Sequence, residues 1–76
     1  MPQRIVADPD TLAGKPRLEG TRISVEFLLE VLAGGASRQD IFGAYPQVTP
    51  EGLDAALRYA AHSMRNESVW DVKLPA

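Results

Sequence analysis

The apolar positions of this chain fall into two helical stripes and a shorter helical segment, set between two stretches that read as extended. Val25, Leu28, Leu29 and Leu32 follow the i, i+3, i+4, i+7 spacing of one buried helix face. Ser24 stands where an N-cap belongs, and Gly34 is placed to end the helix in the left-handed conformation, so the spacing predicts a first helix over residues 25–33. Phe27 and Val31 add a second apolar row, leaving Glu26 and Glu30 as the solvent stripe. A helix apolar most of the way round must be covered on two sides.

Ser37-Arg38-Gln39-Asp40 opens a second helix, with a hydroxyl to cap a free N–H and an acid near the positive end of the helix dipole. It runs through Ile41, Phe42 and Tyr45 and stops before Pro46, over about residues 38–45. Thr49-Pro50-Glu51 is a strong start for a third: a capping hydroxyl, proline at the first helical position and an acid in the first turn. Leu53, Ala56, Leu57, Ala60 and Met64 carry that helix to about residue 65. Ahead of the helices, Ile5-Val6, the turn former Asp8-Pro9-Asp10, Arg17-Leu18, Glu19-Gly20 and Thr21-Arg22-Ile23 read as short extended pieces around a turn. Pro16 and Gly20 keep any strand here short and at an edge. Behind the helices, Trp70, Val72 and Leu74 alternate with Asp71 and Lys73 in the period of a strand. The expected organisation is one mainly α, three-helix domain over residues 1–65 with a short extended or β N-terminal arm, followed by a partner-binding arm at 66–76.

Composition sharpens this reading. Seventy-six residues make one small domain, and 45% hydrophobic with 24% charged residues is the balance of a globular chain. No apolar run reaches the ~18 residues of a membrane span and the N-terminus has no secretory leader pattern, so a cytoplasmic protein without membrane contact is expected. With 0 Cys and 1 His, neither disulfides nor a structural zinc site can staple the fold. A core of this size supplies only about 3–5 kcal/mol, so association is expected, as a homodimer with Phe27 and Val31 at the interface.

The inventory for catalysis is thin. Asp8 and Asp10 belong to a turn whose side chains bond the local backbone, and Gly14-Lys15 lacks the glycine and hydroxyl that a phosphate loop needs around it. His62 has no second ligand at metal spacing and reads as an exposed helix histidine, while Asp54, Arg58 and His62 form a solvated face. No enzyme activity, metal or cofactor is expected.

A short capped helix, a turn and a longer capped helix, preceded by an apolar one, is the order of a helix-turn-helix unit. Against a simple DNA reader stand the pI of about 5.2 and the acids Glu51 and Asp54 opening the third helix. The candidate DNA contacts are Lys15, Arg17, Arg22, Arg38 and Thr49. The competing reading pairs Arg22 and its neighbours with Glu19 or Glu26, merely holding the arm in place. Trp70 either folds back as core filler or binds a partner; the alternation through Leu74 favours strand addition to another protein, with Val69, Trp70, Val72 and Leu74 in contact.

The run Gly14-Lys15-Pro16-Arg17-Leu18-Glu19-Gly20-Thr21-Arg22-Ile23-Ser24-Val25 resembles the signature G-K-P-x-I-x-G-T-R-I-x-V of the domain-of-unknown-function family numbered 433. Ala33-Gly34-Gly35-Ala36-Ser37, Tyr45-Pro46, Thr49-Pro50-Glu51 and Ala56-Leu57-Arg58-Tyr59-Ala60 continue the likeness in order, with Leu18 where Ile or Val is usual. The resemblance implies a homeodomain-like three-helix fold and the role of a VapB-type antitoxin for a PIN-like ribonuclease toxin. Such antitoxins neutralise the toxin with a C-terminal segment and repress their own operon through a dimeric DNA-binding part. Two readings stand beside it: a helix-turn-helix regulator without a toxin, and a small assembly subunit with neither activity.

Overall fold

The computed structural model describes residues 3–65. Three helices, α1 (Val25–Ala33), α2 (Arg38–Ala44) and α3 (Pro50–Ser63), follow two short strands, β1 (Ile5–Val6) and β2 (Arg17–Leu18). α1 has the expected bounds, α2 gives up Tyr45 as its C-cap, and α3 ends two residues before Arg65. The three start signals act as the sequence implies. The side chains of Ser24, Ser37 and Thr49 accept from the backbone N–H groups of Phe27, Asp40 and Gly52, and Ser37 with Asp40 completes a reciprocal capping box.

The end of α1 differs by one residue from expectation. Gly34 stays right-handed at φ −77°, and the left-handed conformation falls on Gly35 at φ 103°. The N–H of Gly35 donates to the Leu32 carbonyl at 3.0 Å and that of Ala36 to Val31 at 3.3 Å, so the last carbonyls of α1 are satisfied by a Schellman turn. The second glycine of the pair, having no Cβ, is the one the positive φ requires.

The N-terminal segment is more than an arm. β1 and β2 pair antiparallel with Ile5 opposite Leu18 and Val6 opposite Arg17, and a single bridge joins Arg17 to Ser24. The ladder is short, as Pro16 and the Glu19-Gly20 turn demand, but it turns Leu18 inward to 0% exposure. The core is Leu18, Ile23, Val25, Leu28, Ile41, Val48, Leu53 and Ala56, drawn from β2, its following loop, all three helices and the link before α3. The link from α2 to α3 is pinned by burial of Val48, whose N–H donates to the Tyr45 carbonyl.

Between the strands the chain makes a 3-10 turn at Leu12–Gly14 in which Leu12, Ala13 and Gly14 take φ of 52°, 53° and 84°. The left-handed conformation costs a residue with a Cβ about 1–2 kcal/mol. It is held by the N–H of Gly14 donating to Thr11 and that of Lys15 to Leu12. Leu and Ala carry no sequence signal for it.

Because Leu18 is a core residue, Leu18→Ala is expected to lower stability by about 2–5 kcal/mol, enough to unfold much of the population in a domain this small. Urea denaturation measures it. A loss below about 1 kcal/mol would mean that the strands are an appendage to a self-sufficient helical core.

Candidate functional site

Most of the residues singled out for nucleic-acid contact are spent on internal ties. Arg17 leaves β2 next to Leu18 and is mostly covered, its side chain 14% exposed. Its Nη2 donates to Asp8 Oδ2 at 2.8 Å and its Nη1 to the Thr21 carbonyl at 3.1 Å, so one guanidinium joins the Asp8 turn to the turn after β2. That hydrogen bond holds the Asp8 carboxyl below its ordinary range. The same carboxylate accepts from the N–H of Asp10 at 3.1 Å, the local turn contact that the sequence implies for Asp8-Pro9-Asp10.

Lys15 reaches Glu26 on α1 at 2.7 Å, which raises the pKa of the lysine and lowers that of the glutamate. Glu19 accepts from Arg4, not from Arg22. Arg38 at the start of α2 meets Asp54 of α3 at 3.0 Å and lies 5.6 Å from the centre of the Phe42 ring, so one acid at the front of α3 is matched by a cation. Arg22 is exposed and has no ion pair among the described residues. The reading in which basic residues hold the segment in place therefore describes Lys15 and Arg17, with partners that differ in part from those expected.

Thr49 is a hub. Its hydroxyl accepts from Gly52 N–H at 2.8 Å and donates to Gln3 Oε1 at 3.2 Å, and its own N–H donates to the same oxygen. Gln3 Nε2 donates in turn to the carbonyls of Gln47 and Glu19. One amide side chain thus ties the start of the described chain to the link before α3 and to the turn after β2. Gly52 leaves room for it, since a Cβ there would collide with the Gln3 amide and press on Thr49 Oγ1. Nothing in the sequence marks Gln3. The only hint is a glycine in the first turn of a helix, where it costs helix propensity and so asks for a reason.

Arg17 and Arg22 line one open polar concavity of about 490 Å³ with Thr11, Gly20, Thr21 and Gln47. Lys15 faces α1 and Arg38 faces α3, so the four basic candidates do not share it. Of the interface candidates, Phe27 is 39% exposed with its ring edge-on to Tyr45 at 5.3 Å, while Val31 is half-buried against the core. Val69, Trp70, Val72 and Leu74 lie outside the described residues. Among the described residues no three His, Cys, Asp or Glu side chains are grouped to hold a metal ion, and no helix is long and apolar enough to cross a membrane.

The class that fold and surface define is a small three-helix domain whose N-terminal hairpin is built into its core. The chain belongs to the family described as "Protein of unknown function (DUF433)", which matches residues 5–60. That span runs from β1 through most of α3 and includes Asp8, Arg17 and Thr49. No curated protein and no solved structure gives a significant match.

Because the Gln3 amide occupies the space beside Gly52, Gly52→Ala is expected to raise stability by about 1 kcal/mol in a Gln3→Ala chain and by clearly less in the native one. Thermal denaturation of the four chains of this double-mutant cycle measures the difference. Equal gains in both backgrounds would show that the amide does not occupy that space.

Proposed function

We propose that this protein is the antitoxin of a toxin-antitoxin pair, acting by binding and not by catalysis, with a PIN-like ribonuclease as its partner. The observation that carries the reading is where apolar surface is left. The exposed large apolar side chains of the described domain, Phe27, Tyr59 and Met64, all belong to α1, α3 and the C-cap of α3. Apolar surface of this kind suits protein partners. The run from Gly14 to Val25 resembles the signature of family 433, and the antitoxin role which that resemblance implies supports a nuclease as the partner. In this reading the segment carrying Val69, Trp70, Val72 and Leu74 occupies the toxin, and two copies associate through the Phe27 and Val31 face of α1.

A second reading, a helix-turn-helix regulator acting on operator DNA in the cytoplasm, is favoured by the Arg17 and Arg22 concavity. There the Asp8–Arg17 pair is internally matched and Arg22 is left to meet a phosphate. Glu51, in the first turn of α3, opposes a deep approach of that helix to DNA.

Affinity capture from the native cell with the full chain is expected to retain a small PIN-like nuclease, and adding the chain to that nuclease is expected to suppress its RNA cleavage. Trp70→Ala should lose both effects, and by light scattering the free chain should run as a dimer that Phe27→Asp converts to a monomer. Capture of no nuclease, or cleavage undiminished by the chain, overturns the antitoxin reading. The DNA reading makes a separate demand. Binding to a duplex from the chain's own promoter should weaken with salt, and Arg22→Ala should reduce the log–log slope by about 1. Binding that ignores salt, or a slope unchanged in the variant, removes Arg22 from that role.

A further inference from the structure

A mostly apolar groove lies open between α1 and the last turns of α3. Leu29 and Ala33 form one wall, Tyr59, Ala60 and Met64 the other, and the space between is about 410 Å³. Tyr59 is 40% and Met64 57% exposed, so the groove is a place where apolar surface meets solvent. It also answers an expectation of the sequence, that α1 needs covering on two sides. One side meets the core through Val25 and Leu28, Phe27 is partly covered by Tyr45, and the side at Leu29 and Ala33 faces the open groove.

We propose that this groove is the seat of the chain's own C-terminal segment, residues 66–76, with Trp70 as the side chain that fills it. The position of the groove supports this occupant over any other. Met64, the C-cap of α3, lines it, and the described chain ends one residue later at Arg65. Trp70 follows Arg65 by five residues, a reach of roughly 17 Å at 3.3–3.6 Å per residue. α1 is about 13 Å long at nine residues, so Trp70 can reach any point along the groove. An indole carries about 150–250 Å² of mostly apolar surface with only two side-chain torsions to fix. The tether gives the segment a local concentration in the millimolar range, which a second copy or a separate protein must exceed. The inference concerns the free chain; under the antitoxin reading the segment leaves this groove to occupy the toxin, uncovering Tyr59 and Met64 as it does.

The chain contains a single tryptophan, so its indole signals are unambiguous. In the full-length chain, nuclear Overhauser contacts are expected between the Trp70 indole and the methyl groups of Leu29, Ala33 and Ala60. They should persist within one molecule when labelled and unlabelled copies are mixed. Ala60→Asp should abolish them and shift Trp70 emission to the red while the helical circular dichroism is kept. Should that variant unfold, Trp70→Ala in the full chain serves instead, and the Leu29 and Ala33 methyl resonances should move. Indole contacts to none of these methyls, contacts only between different copies, or methyl resonances unmoved by Trp70→Ala would each overturn the proposal, the second by making another copy the occupant.

Discussion

A chain of this length without cysteines has little beyond its apolar core to hold it, and that core is completed by a strand of two residues. Leu18 is fully buried only because β2 is fixed against β1 on one side and bridged to Ser24 on the other. The same bridge sets the entry into α1, since Ser24 is its N-cap and the N–H of Val25 donates to the Pro16 carbonyl. The strand pair thus places a core side chain and aims the first helix at once. Remove its register and Leu18 would turn outward, because neighbouring strand residues face opposite ways.

The polar ties on the surface make sense in that light. Arg17, alternating with Leu18, emerges where it can join the Asp8 turn to the Thr21 carbonyl. Lys15 and Arg4 do the same work further out, against Glu26 and Glu19. Each spans two segments brought together by the strands, so each depends on the same register. Gln3 adds the remaining link, to the turn that starts α3. Charges that look like a nucleic-acid patch along the chain are largely matched once it folds, and Arg22 is the residue among those expected contacts whose charge the described domain leaves free.

The apolar surface shows the complementary pattern. The second apolar row of α1 was expected at Phe27 and Val31, where Tyr45 and the core take up much of it. The open groove lies on nearly the opposite side of the helix, at Leu29 and Ala33, where α3 packs alongside α1. Helix spacing identifies a residue as apolar and sided, but the angle at which a second helix crosses decides which side is left for something else.

The three helices, their N-caps and the turn at Glu19-Gly20 were legible in the sequence, because capping hydroxyls and Pro50 act within four residues of their own positions. Membership of the family was legible too, in the run from Gly14 to Val25. The burial of Leu18, the left-handed turn at Leu12 and Ala13, the partners of Arg17 and Arg38, and the hub of Gln3, Thr49 and Gly52 were not. Each joins residues far apart in the chain or goes against a residue's own preference. Local physics, set by capping and spacing, fixes where a helix starts and which residues it buries. Which charge meets which, and which apolar face stays open, is decided only when the segments share one core.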